Sequence, residues 1–361
     1  MENKDIIELN LGEPIIGALP MTVNKEELLS LFKIGSMSKQ EHNMVEFVEK
    51  FLKEEKIEYT KDSLGNIYNF NYENMPMISA HLDTVQDETD AFGAKFAKIY
   101  DDKFIRSYGV LGGDDKCGVY ICMELLREFR ELNFCFCVQE EIGMIGSKFV
   151  AENEKEKLKK IAYGLIFDRR GSGDIICYQN DYGTKDFEEE LKDVGKYYKY
   201  SPAKGFASDC NTFKEFFSCA NLSCGYYNPH TKNEYVKIDE VENALNYAVD
   251  ILYNVVDVFT PYKPTYSKTT YPSSYNGRRS WGYNDDYYDD YYYGESFNYK
   301  NKKKSKEEEK EKKKKKISYT LCDCCNKYKD TIEIKKLNVI LCKDCAREIA
   351  KELIDIAYEE N

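Results

Sequence analysis

The sequence predicts an α/β fold in which helices cover both faces of a mainly parallel, mixed β-sheet, a three-layer sandwich. Short apolar runs at 75–80, 132–139 and 161–167 alternate with helical patterns at 43–54 and 114–129. Strands that are apolar along their whole length are typical of parallel sheets buried on both faces. Reactive side chains are then expected at the carboxyl ends of the strands.

The other elements support this order. Residues 43–54 carry apolar side chains at helical spacing, as in Met44, Val48 and Phe51. Segments 57–60 and 66–71, separated by Leu64-Gly65, read as a hairpin. Residues 221–225 form a further predicted strand, and 239–258 form a long closing helix.

Composition limits the class of protein. The 361 residues carry a net charge of −12 and thirteen Cys. We find no apolar run of about 18 residues, as a membrane-spanning helix would need, and no pattern of a signal peptide at the amino terminus. We therefore expect a cytoplasmic protein with reduced thiols and no membrane partner, and direct binding of nucleic acid to the acidic main region is disfavoured.

Composition also divides the chain into four predicted parts. Residues 1–24 are unassigned, and 25–258 form the main domain. Residues 259–316 read as a disordered linker, because eleven Tyr without Leu, Ile or Val are followed by eleven Lys and four Glu. Residues 317–361 regain apolar residues and Cys, which indicates a small separate module.

Imidazoles and carboxylates follow the predicted strands of the main domain. His81 and Asp83 end one strand, Asp114 and Asp115 open a helix, and the other candidates are Glu140, Glu141, Asp168 and His230. Adjacent carboxylates at the end of an apolar strand are costly unless they share a cation or a proton. Nitrogen and oxygen ligands in this mixture favour zinc, with cobalt or manganese as alternatives.

The order and the residue patterns of these motifs resemble those of the dizinc aminopeptidase clan, which includes peptidase T, glutamyl aminopeptidase and related deacylases. The resemblance covers about residues 25–258 and is carried by 80–84, 112–118, 140–147, Asp168, 208–209 and 224–234. It implies the single-domain branch of the clan, since about 40 residues between Asp168 and Ser208 leave no room for a lid domain.

The resemblance implies a role for each candidate. His81 and Asp168 would bind one metal ion, and Glu141 and His230 the other. Asp114 would bridge both ions, Asp83 would orient His81, and Asp115 would be a spare acid. Glu140 would act as general base and then acid. Oxyanion help from Tyr226 or Tyr227, and a substrate contact by Arg169-Arg170, are weaker hypotheses than structural roles for these residues.

The function expected from this pattern is dimetal-dependent hydrolysis of short peptides by an aminopeptidase. A carboxypeptidase or N-acyl amino-acid deacylase that uses the same metals is the nearest alternative. A non-catalytic scaffold whose tail serves in assembly is a second alternative.

The tail carries its own metal motif. Cys322 and Cys325 are followed after sixteen residues by Cys342 and Cys345, a spacing typical of a four-Cys structural zinc site. We expect a zinc-ribbon or treble-clef module, because a 45-residue unit is too small to be stable on its apolar core alone and a bound metal ion would stabilise it. A protein partner is at least as well favoured for it as nucleic acid.

Overall fold

The computed structural model describes residues 20–262 and three strands of the tail. The strands of the main region are β1 Thr60–Lys61, β2 Ile67–Asn69, β3 Met77–His81, β4 Lys98–Tyr100, β5 Phe104–Arg106, β6 Asn133–Cys137, β7 Gly164–Arg169, β8 Asp174–Ile176, β9 Ser201–Pro202, β10 Cys219–Ser223, β11 Tyr226–Tyr227 and β12 Tyr235–Lys237. Its α-helices are α1 Lys25–Phe32, α2 His42–Glu54, α3 Glu88–Ala94, α4 Gly113–Glu128, α5 Ile145–Asn153, α6 Lys155–Leu158, α7 Lys185–Gly195, α8 Cys210–Phe213 and α9 Ile238–Asn254.

Eight strands form the main sheet in the order β1-β2-β6-β3-β7-β10-β8-β9. The four central strands, β6, β3, β7 and β10, are parallel. The pairs β1–β2, β2–β6 and β10–β8 are antiparallel, and the edge strand β9 pairs parallel with β8. This is the predicted mixed, mainly parallel sheet. The four central strands therefore deliver their carboxyl ends to one edge.

Alternate residues of the central strands enter two separate apolar clusters, one on each face of the sheet. On β6, Phe134 and Phe136 pack into the larger cluster, whereas Cys135 and Cys137 pack into the smaller one. The larger cluster includes side chains of α1, α2, α4 and α9, and the smaller one includes side chains of α5, α6 and α8. Both faces are covered, which confirms the predicted three-layer α/β architecture.

A second sheet escapes sequence prediction. Its strands run in the order β11-β12-β5-β4, and each pairs antiparallel with the next. Strands of two or three residues are too short to show an alternating pattern. This sheet matters for the site, because the loop that carries His230 lies between β11 and β12.

The main region remains packed beyond the predicted boundary at residue 258. The closing helix ends at Asn254, earlier than predicted, and the chain then runs along the core. Phe259 donates its backbone N–H to the carbonyl of Ala162 at 2.8 Å and packs on Tyr163 and Phe187.

The eight Cys of residues 20–262 are buried free thiols and pack in the two apolar clusters as small apolar side chains. In the part of the chain that the structure describes, no helix is long and apolar enough to cross a membrane.

In the tail, three antiparallel strands are described: β13 Tyr319–Leu321, β14 Tyr328–Ile334 and β15 Val339–Cys342. Residues 1–19, 263–318, 322–327, 335–338 and 343–361 lie outside the described residues, and with them the predicted linker and Cys322, Cys325 and Cys345. Cys342 ends β15.

Candidate metal centre

The candidate ligands converge at the carboxyl edge of the main sheet. His81 ends β3, Asp168 lies near the end of β7, and Glu140 and Glu141 follow β6. Asp114 enters from the first turn of α4, and His230 enters from the loop between β11 and β12. All seven residues predicted for this site lie in its immediate surroundings.

Two groups of three ligands share one residue. His81, Asp114 and Asp168 form one group, and Asp114, Glu141 and His230 form the other. Within each group one ligand atom per residue lies within 4.8 Å of the others. The shared residue is Asp114, the predicted bridge.

The two carboxylate oxygens of Asp114 face different groups. Oδ1 lies 3.0 Å from Nε2 of His81, and Oδ2 lies 3.3 Å from Nε2 of His230. Nε2 of His81 is also 3.6 Å from Oδ1 of Asp168, and Nε2 of His230 is 2.8 Å from Oε1 of Glu141. The two groups could hold two adjacent cations that share one carboxylate.

Asp83 organises more of the site than its predicted role required. Nδ1 of His81 lies 2.9 Å from the backbone carbonyl of Asp83 and 3.4 Å from its Oδ1. These contacts favour a proton on Nδ1 and leave Nε2 as the ligating atom. The carboxylate of Asp83 also accepts the N–H groups of Glu140 and Glu141, at 2.8 and 3.2 Å, and the hydroxyl of Ser38 at 2.7 Å.

Asp115 does not face the ligand groups as a second acid. It is fully buried, and its carboxylate accepts the backbone N–H of His81 and of Gly118, both at 3.1 Å. Asp115 therefore ties the end of β3 to the first turn of α4. Asp115 holds the backbone of His81 in place and leaves the imidazole free to face the ligand groups.

Asn221 holds Asp168 in place. The two residues sit on the paired strands β10 and β7. The Asn221 side chain accepts the backbone N–H of Asp168 at 3.0 Å and donates to its carbonyl at 2.8 Å. Neither Asn221 nor Ser38 carries a motif in the sequence that could have marked it.

The electrostatics show a surplus of buried negative charge. Burial and the charge of Asp114 raise the pKa of Asp168 to about 7, and burial and the charge of Asp168 raise the pKa of Glu140 to about 10. Burial would lower the pKa of His230, but hydrogen bonds to Asp114 and Glu141 outweigh it and raise that pKa to about 11. Carboxylates crowded in this way fit bound cations.

Hydrogen bonds to the two imidazoles lower the pKa of the shared ligand, Asp114. Burial would raise the pKa of Asp114, but hydrogen bonds to His230 and His81 hold it well below its ordinary value. The same contacts raise the pKa of His81 against the effect of its burial. Asp114 is thus held as a carboxylate, the form that binds a metal ion.

Tyr226, Tyr227 and Arg169 each contact a carboxylate side chain. The hydroxyl of Tyr226, which is buried, lies 3.4 Å from Oδ1 of Asp168, and the hydroxyl of Tyr227 donates to Glu240. Arg169 donates from Nε and Nη2 to Asp174, at 3.0 and 2.8 Å.

Residues 64–222 match the model of Peptidase family M28. This segment includes six of the seven residues predicted for the site and ends before the seventh, His230. With the ligand groups, the match defines the class of the protein: it is a metallopeptidase that hydrolyses peptide bonds.

The fold is similar to several solved peptidase structures. Aminopeptidase PepT from Bacillus cereus ATCC 10987 is 17% identical with a TM-score of 0.52, covering 64% of this chain and 98% of that one. A tripeptidase from Staphylococcus aureus subsp. aureus Mu50 is 16% identical with a TM-score of 0.50, covering 64% and 97%. An aminopeptidase from the archaeon Desulfurococcus kamchatkensis is 15% identical with a TM-score of 0.50, covering 63% and 95%. A search of curated protein sequences finds no match.

Proposed function

We propose that the protein is a dimetal aminopeptidase that cleaves short peptides. The observation that carries this proposal is the division of the Asp114 carboxylate between two ligand groups. A single cation would need only one of these groups. Two groups that share a carboxylate are the arrangement expected for a pair of adjacent metal ions.

The ligands separate by group. His81 and Asp168 would hold one ion, Glu141 and His230 the other, and Asp114 both. The donor set of two imidazoles and three carboxylates fits zinc, with cobalt or manganese as alternatives. When bound, such a pair polarises the scissile carbonyl and makes a nucleophile available at neutral pH.

Glu140 is the proposed general base. Its backbone N–H is fixed by Asp83, and its carboxylate is partly buried beside Asp168. Cations at the site would oppose the repulsion that raises the pKa of Glu140, so that its carboxylate is free to accept a proton. Glu140 would take this proton from the attacking water and give it to the leaving amine.

The Arg169–Asp174 pair bears on the alternatives. A carboxypeptidase needs a cation for the free carboxylate of its substrate. Arg169 already binds Asp174 through two nitrogens, so it does not offer that contact. Several solved structures with a similar fold are named aminopeptidases. Aminopeptidase action is the better proposal on these two grounds, and carboxypeptidase, deacylase and scaffold are outcomes that the test distinguishes.

The experiment compares Glu140→Gln with Glu152→Gln, a matched change at an exposed position of α5. We expect Glu140→Gln to abolish hydrolysis of short peptides while the metal content of the protein stays near normal. Glu152→Gln should behave as the unchanged protein does. Full activity of Glu140→Gln would remove Glu140 from the mechanism.

A substrate panel separates the peptidase classes. Peptides with a free amino terminus should be cleaved and their N-acetylated counterparts should not. Cleavage of the acetylated peptides would favour a carboxypeptidase or a deacylase. Metal binding without turnover of any peptide would favour the scaffold.

We further propose that Cys322, Cys325, Cys342 and Cys345 bind one structural zinc ion and that this module binds a protein partner. The spacing of the two Cys pairs supports the metal site. Cys322→Ser should lower the zinc content by one ion per chain and leave peptide hydrolysis unchanged. The reduced, buried Cys of the main region agree with the proposed cytoplasmic location.

A further inference from the structure

The carboxylate of Glu234 lies against the turn that presents Asp114. Glu234 is only 2% exposed. Its Oε2 accepts the backbone N–H of Gly112 at 2.8 Å, and its Oε1 accepts the backbone N–H of Asp114 at 3.2 Å. One side chain thus binds both ends of a three-residue turn that is 120 residues away in sequence.

The turn needs such a partner. The first N–H groups of a helix lack acceptors within the helix, and Gly112 has no side chain to cap α4. A negative charge near a helix amino terminus is also favourable. A Cβ at Gly113 would lie 3.0 Å from Oε1 of Glu234, so the glycine allows the close approach of the carboxylate.

Glu234 also belongs to the loop that carries His230. Its own backbone N–H donates to the carbonyl of Thr231 at 3.1 Å, and β12 begins at the next residue. His230 reaches Asp114 and Glu141 from this same loop. The loop therefore contacts the bridging aspartate twice, at its side chain through His230 and at its backbone through Glu234.

Lys116 is a buried cation whose charge interacts with that of Glu234. Its Nζ donates to the carbonyl of Ile34 at 2.7 Å. The hydrogen bonds of Glu234 go to backbone N–H groups, whose positions decide where Asp114 points.

We propose that Glu234 is a positioning residue for the metal centre, which fixes the orientation of Asp114 and couples it to His230. This inference rests on the proposed dimetal function. Glu234 does not contact the ions itself. Its removal should weaken the binding of both ions, since Asp114 serves both.

The test uses Glu234→Gln in the full chain. The amide keeps the size of the side chain but turns an N–H₂ group toward one of the two backbone N–H groups, so one hydrogen bond is lost. The matched control is Glu240→Gln. Glu240 lies close by in α9 and accepts from Tyr227 and Lys237, away from Asp114.

Zn²⁺ binding is measured by calorimetry, and the fold of the metal-free chains by circular dichroism and thermal unfolding. Because partners outside the ligand shell typically change metal affinity by roughly 10- to 100-fold, we expect a loss of this size at two sites in Glu234→Gln. Glu234→Asp keeps the charge but has a shorter reach, so it should recover part of the affinity. Glu240→Gln should bind as the unchanged chain does.

The outcomes separate the two proposals. If the unchanged chain binds no pair of ions at this site, the proposed function fails. If it binds the pair and Glu234→Gln binds it equally well, or if Glu240→Gln weakens binding to the same extent, the positioning role is overturned. A Glu234→Gln chain that is unfolded without metal would show a role in the fold and would also overturn it.

Discussion

Asp83→Asn is the substitution whose effect follows most directly from the geometry. Oδ1 of Asp83 accepts from Glu140 and lies beside His81, whereas Oδ2 accepts from Ser38 and Glu141. The amide nitrogen fits best at the Oδ2 position, because the hydroxyl of Ser38 can rotate to accept from it. The N–H of Glu141 then loses its acceptor.

The size of the effect follows from this single lost acceptor. A buried N–H left without a partner costs about 1–3 kcal/mol of unfolding free energy. Because the freed group is the backbone of a predicted ligand, and because His81 also loses its charged neighbour, we expect metal affinity to fall by roughly 10- to 100-fold.

Zn²⁺ titration and urea unfolding of the metal-free chain measure the two effects. Glu188→Gln is the matched control, since this buried carboxylate accepts the backbone N–H of Tyr178 at 2.9 Å, away from the metal centre. It should lower stability without changing metal affinity. Metal affinity of Asp83→Asn equal to that of the unchanged chain, or an equal loss in Glu188→Gln, would refute the reasoning.

Three further substitutions test other parts of the account. Tyr226→Phe removes a hydroxyl 3.4 Å from Asp168 and should weaken metal binding by less than about tenfold in a Zn²⁺ titration, as expected for one ordinary hydrogen bond; a complete loss of activity would instead give the hydroxyl a catalytic role. Gly113→Ala would place a Cβ 2.8 Å from that of Tyr226 and should cost about 1–3 kcal/mol in urea unfolding, whereas unchanged stability would contradict the close packing of this turn. The hydrogen bond to Lys61 lowers the pKa of Glu49, so the stability that this pair adds is present above the ordinary pKa of 4.5 and is lost as the pH falls through the lowered pKa. The unfolding free energies of the unchanged chain and of Glu49→Gln should differ by at most about 1 kcal/mol at pH 7, and this difference should vanish near pH 2. A difference that grows as the pH falls would contradict the predicted sign.

The sequence allowed the position of the site to be predicted because parallel strands end at one edge of a sheet. His81, Glu141 and Asp168 each follow an apolar run, and nothing more was needed to expect them close together. The order β6-β3-β7 then places these three strand ends side by side.

The supporting residues could not be predicted in the same way. Glu234 acts on backbone atoms 120 residues away, and Asn221 acts on the backbone of a neighbouring strand. Their partners depend on register and on the second sheet, whose short strands have no pattern in the sequence. The function of Asp115 was missed for a related reason, since its acceptor role becomes visible only when β3 and α4 are packed together.

The most direct test of the central claim is anomalous diffraction from crystals of the full chain grown with Zn²⁺. The account predicts two peaks at this site, one bonded to His81 and Asp168 and one to Glu141 and His230, with Asp114 bonded to both. A single peak, or two peaks that do not share Asp114, would contradict it.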